Sequence, residues 1–174
     1  NQFGWGIHGY PNPGHLTGFD IEGNIIFNNG INSDRGYRFP SIMVSGYRPH
    51  TAGHLRIANN FTYESADQRP LKKFSDANLC LGCSDKNVNE DATVRDNHFV
   101  GGEPVAAIAN FLQVTMTGNL FYGQSGMAGV AVPEGASIRS YHWDNNRYYG
   151  AGADGSRGAL FSYNGKVLDF KQWR

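Results

Sequence analysis

Four carboxylates, two of the three arginines and one of the two histidines inside one recurring nine-residue pattern are candidates for chemistry. They are Asp20, Glu22, Asp96, Asp144, Arg56, Arg95 and His142. Two carboxylates at one of two characteristic separations are what hydrolysis of a glycosidic bond requires. A second set of candidates is aromatic: Phe27, Tyr63, Tyr122 and Tyr149 each close a copy of the same pattern. A flat ring with a polar tip stacks on a sugar ring while its hydroxyl hydrogen-bonds. Tyr63, Tyr122, Tyr149 and His142 are therefore the candidate substrate-binding residues, and Asp20, Glu22, Arg56 and Arg95 the candidates for catalysis.

Other residues of chemical interest say less. The histidines are His8, His15, His50, His54, His98 and His142. His15 and His54 both occur in Gly-His-Leu, in loops that follow equivalent strands. A metal centre needs three or four converging ligands with support behind them, and nothing in the spacing shows that, so no metal ligand is assigned. Cys80 and Cys83 form a single C-x-x-C, too few for a four-ligand zinc site and without the βαβ setting of a redox motif. Cys80 aligns with core positions Ile7 and Val44, so a buried thiol is the first expectation. A local disulfide is the alternative for a secreted chain.

The elements that must position these residues are written five times. The copies are Phe19-Asp-Ile-Glu-Gly-Asn-Ile-Ile-Phe27, Leu55-Arg-Ile-Ala-Asn-Asn-Phe-Thr-Tyr63, Ala92-Thr-Val-Arg-Asp-Asn-His-Phe-Val100, Val114-Thr-Met-Thr-Gly-Asn-Leu-Phe-Tyr122 and Tyr141-His-Trp-Asp-Asn-Asn-Arg-Tyr-Tyr149. Apolar residues two apart share one face of a strand. Asn24, Asn60, Asn97, Asn119 or Asn146 follows; Asn tolerates a left-handed backbone and suits a sharp corner. An extended, bulky segment comes next. Stacked copies describe a β-solenoid with a ladder of asparagine amides inside.

The alternation assigns faces. Phe19, Leu55, Ala92, Val114 and Tyr141 point inward, as do Ile21, Ile57, Val94, Met116 and Trp143. One outward column reads Asp20, Arg56, Thr93, Thr115, His142, and the next Glu22, Ala58, Arg95, Thr117, Asp144. Asp20 and Arg56 are placed to pair. This face reads either as a solvated sheet with cross-strand charge pairs or as a groove for a polar or acidic sugar chain. Beyond the corner, Ile26, Thr62, Phe99, Phe121 and Tyr148 point inward. Phe27, Tyr63, Val100, Tyr122 and Tyr149 form an outward stripe, to be covered by loops or left open for a ligand.

An opening strand precedes each early copy: Trp5-Gly-Ile-His-Gly-Tyr10, Ile42-Met-Val-Ser-Gly-Tyr47 and Asn78-Leu-Cys-Leu-Gly-Cys83. We align Gly9, Gly46 and Gly82. Val105-Ala-Ala-Ile-Ala109 and Val130-Ala-Val132 are the later equivalents. Residues 159–163 open a last partial rung and 166–170 supply its next strand. The reading is an all-β, right-handed parallel β-helix of about five to six rungs, one domain over residues 1–174. Loop insertions fall in the early rungs, at 31–40, 48–54 and 64–76.

Composition narrows the function. The formal net charge is zero and charged residues are 17% of the chain, which argues against a nucleic-acid binder working through a basic surface. No apolar run is long enough to span a membrane.

The I-x-G-N-x-[IF]-[FY] pattern, best seen in Glu22-Gly-Asn-Ile-Ile-Phe-Asn-Asn-Gly30, resembles the repeat of the pectate-lyase-like superfamily. Residues 161–173 resemble a segment found late in its secreted members. The resemblance covers roughly residues 4–173. It implies a secreted or cell-surface protein acting on, or binding, a polysaccharide. A lyase of this group would use an arginine or lysine base, for which Arg56 and Arg95 are the candidates, with calcium at the uronate carboxylate. The usual cluster of calcium-binding aspartates and a polygalacturonase signature are not recognisable. The alternative is a non-catalytic glycan-binding or structural module. Solenoid ends need caps, and no amphipathic capping helix is evident. We therefore expect the ends to pack on another chain or on further parts of a larger parent chain, which a start at Asn1 also suggests.

Overall fold

The computed structural model describes residues 5–11, 14–27, 39–46, 49–64, 77–83, 87–102, 104–123, 126–133, 138–150 and 160–174. Its strands are three to seven residues long, apart from one pair of two, and they coil into a right-handed parallel β-helix with three walls. The first wall holds β1 (Ile7–Gly9), β5 (Ile42–Val44), β9 (Leu79–Leu81), β12 (Ala106–Ala109), β15 (Gly126–Ala131) and β18 (Leu160–Tyr163) in parallel order. The second holds β3 (Asp20–Glu22), β7 (Leu55–Ala58), β10 (Asn89–Arg95), β13 (Phe111–Thr117) and β16 (Tyr141–Asp144). The third holds β4 (Ile25–Phe27), β8 (Phe61–Tyr63), β11 (His98–Val100), β14 (Leu120–Gly123) and β17 (Arg147–Gly150). A two-strand ladder, β2 (Leu16–Thr17) with β6 (Ala52–Gly53), precedes the second wall.

The five corner asparagines stack as expected, and their chemistry runs in one direction. Asn60 Oδ1 accepts from both the backbone N–H and Nδ2 of Asn24, at 2.9 and 3.0 Å. Asn97 does the same for Asn60, Asn119 for Asn97, and Asn146 for Asn119, all at 2.9–3.0 Å. Each Nδ2 after the first also donates to a carbonyl of the rung before, at Ile21, Ile57, Val94 and Met116. Asn97 and Asn119 are fully buried, so the ladder satisfies polar groups that have no access to water. The left-handed residue at each corner is not the asparagine but the one before it. Gly23, Asn59, Asp96, Gly118 and Asn145 have φ between 54° and 69°. They make the bend, which frees the asparagine side chain to run the ladder.

Inside, like residues meet across rungs. Ile21, Ile57, Val94 and Met116 form one buried column, and Ile26, Thr62, Phe99 and Phe121 another. Phe99 stacks on Phe121 at 5.6 Å and Phe121 on Tyr148 at 5.3 Å. Thr62 is the exception to this chemistry: its hydroxyl is buried and finds no partner among the described residues. Thr62→Val keeps the shape and removes the unpaired group, so it should raise stability by about 1 kcal/mol. A lowered thermal midpoint would show that the hydroxyl is paired after all.

The first wall corrects one alignment. Ile7 pairs with Ile42 and Ile42 with Leu79, while Gly9 faces Val44 and Val44 faces Leu81. Gly9, Gly46 and Gly82 are thus not equivalent, and Cys80 stacks on Met43 rather than Val44. The glycine spacing was misleading because only Gly82 among them is a left-handed corner, at φ 64°. The middle strands of this wall, β5 and β9 with most of β12, are buried on both faces: Ile42, Val44, Leu79 and Leu81 face the core, and Met43, Cys80 and Ala107 form a smaller cluster outside it. A wall covered on both sides needs no polar alternation, which is why its sequence is so uniformly apolar.

Cys80 and Cys83 are joined as a disulfide, so the expected buried thiol is replaced by the local bridge. The C-terminal end also departs from expectation. Residues 166–170 do not continue the coil. Instead β19 (Lys166–Leu168) folds back antiparallel on β18 through Asn164 and Gly165, both left-handed. Asn-Gly between two strands is the strongest short hairpin signal. A one-turn helix, α1 (Phe170–Trp173), follows, with Asp169 and Gln172 in a reciprocal capping box at 2.8 and 3.0 Å. Trp173 stacks on Phe161 at 4.7 Å and meets Trp143 edge-on at 5.3 Å. This end therefore carries a hairpin-and-helix cap, where none was anticipated. The loops placed at 31–40 and 64–76 lie mostly outside the described residues.

Candidate functional site

Three walls give three different outer surfaces. The first is covered, the second polar and the third aromatic. The second wall carries the two outward columns in the expected register: Asp20 opposite Arg56, then Thr93, Thr115 and His142; and Glu22, Ala58, Arg95, Thr117, Asp144. The ion pairing differs. Arg56 makes a forked contact with Glu22, at 2.5 and 2.9 Å, and lies 3.9 Å from Asp20. A planar guanidinium matches a carboxylate held edge-on better than one directly opposite. Asn59 adds a third hydrogen bond to Glu22 at 3.1 Å. Arg95 lies 3.6 Å from Asp96.

The Arg56 hydrogen bond, then that from Asn59, holds the Glu22 carboxyl below its ordinary value of 4.5, and the same contact raises Arg56. A lowered carboxyl contributes stability above its unfolded pKa and loses it as pH falls through the folded one. The melting-temperature difference between wild type and Glu22→Gln should thus be small, shrink with added salt and vanish in acid. A difference unchanged from neutral to strongly acid pH would disconnect it from this pair. Arg56, so held, is a poor proton acceptor.

The third wall is chemically distinct. Its outward columns are Phe27, Tyr63, Val100, Tyr122, Tyr149 and Ile25, Phe61, His98, Leu120, Arg147, in register. Phe27 is 62% exposed, Tyr63 39%, Tyr122 50% and Tyr149 49%. The stripe is therefore open. No carboxylate stands on either column, while Arg147 and His98 do. The expected Tyr63, Tyr122 and Tyr149 lie on one face; His142 does not join them, being on the second wall. Ile25 and Phe61, outward by the same strand alternation, stand exposed beside the rings.

Histidines divide into separate places. His15 and His54 are not equivalent: Leu16 pairs with Ala52, so Gly18, left-handed like His54, is its counterpart. His50 Nδ1 lies 2.6 Å from Glu90 and His54 Nδ1 3.0 Å from Asp91, and both histidines are left-handed, at φ 60° and 50°. His8 is held below its ordinary pKa by burial and stacks on Trp5 at 4.2 Å. Among the described residues no three His, Cys, Asp or Glu converge to hold a metal ion. Nor, among the described residues, do three acidic side chains gather that could hold calcium.

With this geometry established, known proteins offer no further guide. No family model, no curated protein and no solved structure matches the chain. No helix among the described residues is long and apolar enough to cross a membrane. What remains informative is the contrast between walls. The sequence marked the polar residues as candidates for chemistry, and the structure engages the foremost of them, Arg56 and Glu22, with each other. It leaves the aromatic residues open.

Proposed function

We propose that this β-helix is a secreted or cell-surface protein of the pectate-lyase-like group that binds an acidic polysaccharide along the aromatic stripe of its third wall. The observation that carries the reading is the open column of Phe27, Tyr63, Tyr122 and Tyr149, one ring on each of four strands. Each ring offers an apolar face to a sugar, and Tyr offers a hydroxyl to its polar edge. The absence of carboxylates from both columns, beside Arg147 and His98, favours a chain bearing uronates over one bearing cations. The Cys80–Cys83 bridge supports an oxidising, extracytoplasmic setting.

Retention on gels containing pectin, alginate or xylan tests this. The double substitution Tyr122→Ala with Tyr149→Ala should weaken retention about thirtyfold, since two rings at about 1 kcal/mol each are removed, with the thermal midpoint little changed. Unaltered retention would take the stripe out of consideration.

One observation favours a catalytic second reading. His50 and His54 are each aligned by a carboxylate, Glu90 and Asp91, as imidazoles used for proton transfer are. Release of unsaturated uronate from pectin or alginate, abolished by His50→Ala with His54→Ala, would select a polysaccharide lyase over a binding module.

A further inference from the structure

The rungs end in a cavity, and its walls are chemically unlike the core that leads to it. Tyr141, Trp143 and Tyr148 stand at inward positions, in register with Val114, Met116 and Phe121 of the rung before. Those three partners are fully buried, yet Tyr141, Trp143 and Tyr148 are only half-buried. The cap stands over them without filling the space. Tyr163 and Leu168 of the hairpin and Trp173 of the helix form the opposite side, leaving about 510 Å³ between. That is within the range of about 300–1,000 Å³ found for small-molecule sites.

We propose that this cavity receives the terminal ring of an acidic glycan. The inference rests on the stripe reading above and gives the chain a defined end. Two of the three phenol hydroxyls of its walls are already engaged: Tyr141 donates to the Phe111 carbonyl at 2.6 Å, and Tyr148 accepts from the Trp143 indole. The rings therefore present apolar faces, which suit the C–H face of a pyranose. Polar groups stand among them. Asp144 is fixed by two hydrogen bonds from Asn145, at 2.8 and 2.9 Å, and keeps lone pairs for sugar hydroxyls. Gln172 offers an amide. Arg174, with its guanidinium 5.6 Å from the Phe170 ring centre, is the one cation among the lining residues. Its planar fork suits a uronate carboxylate.

Position explains why the ring would be terminal. Among the described residues β17 is the last strand of the third wall. It carries Tyr149 of the stripe on its outer face and Tyr148 of the cavity on its inner one. A chain lying down the stripe crosses that edge and meets the cap, which closes the way along the axis.

The experiment uses the tryptophans. There are three, and two line the cavity. Trp5, packed on His8 and Phe39 at the other end, is replaced in Trp5→Phe, so emission reports on Trp143 and Trp173. A hexamer of galacturonic acid should change that emission saturably. Arg174→Ala, at an exposed terminal position, should raise its Kd about tenfold or more, and carboxyl-reduced hexamer should bind as weakly to both. Unchanged emission while the protein is still retained by pectin would overturn the cavity and leave the stripe standing. Equal response to acidic and reduced hexamer, indifferent to Arg174→Ala, would also overturn it. Emission that depends on protein concentration without glycan would assign the cavity to a second copy instead. If neither hexamer nor pectin binds, both readings fall together.

Discussion

Asn97→Ala should cost about 3 kcal/mol or more, because it orphans two or three buried groups at about 1–3 kcal/mol each. Asn97 Oδ1 accepts both donors of Asn60, and its Nδ2 donates to Ile57, Arg95 and Asn119. Alanine leaves the Asn60 backbone N–H and amide pointing at a methyl group inside a dry wall. The ladder position matters as much as the residue. Asn24 gives two hydrogen bonds to Asn60 and accepts none from a ladder neighbour. Asn24→Ala keeps its own backbone N–H paired and should cost under about 1 kcal/mol. Because a solenoid's stability is a sum over neighbouring rungs, hydrogen exchange in Asn97→Ala should accelerate most at β8, β11 and β14. Equal midpoints for Asn97→Ala and Asn24→Ala in urea would mean the ladder is not a stabilising element.

The repeat that made this ladder legible shows where sequence is a good guide. Asparagine at five equivalent corners, with alternating apolar residues on both sides, leaves one solution once the copies stack. The inward columns from Ile21 to Trp143 and from Ile26 to Tyr148 follow from that register alone. What lay beyond it depended on side-chain reach. Arg56 is long enough to choose Glu22 on the diagonal over Asp20 directly across, and pattern cannot say which. The first wall was misaligned because a glycine that bends the chain and one that merely fits in a strand look identical in sequence; only Gly82 bends. The cap has its own signals in the sequence. Asn164-Gly165 between two extended runs, then Asp169 three residues before Gln172, are a hairpin and a helix start in plain form. The extended runs on either side also fit the repeat, which masks them. The cavity could not be read, since it exists only where the cap fails to fill the space over Trp143.

Gly82→Ala should cost about 2–5 kcal/mol for a single added methyl group, combining left-handed strain with a backbone collision. Gly82 has φ +64°, and a Cβ there would stand 2.0 Å from the Ala109 carbonyl oxygen. That oxygen belongs to β12, held between β9 and β15, so it cannot retreat without opening the first wall. Gly23 has nearly the same backbone, at φ +69°, with nothing within 4 Å of the added atom. Three of its four counterparts on other rungs, Asn59, Asp96 and Asn145, are left-handed and carry a side chain. Gly23→Asn should therefore cost less than about 1 kcal/mol, since asparagine tolerates this conformation and orders the unfolded chain. The two substitutions separate two ideas that a conserved-looking glycine confounds: that the backbone must turn left, and that the next coil presses against it. If Gly82→Ala unfolds at the same urea concentration as Gly23→Asn, the close approach of Gly82 to β12 is not part of the fold, and the rungs sit further apart at this corner than the ladder at the other corner allows.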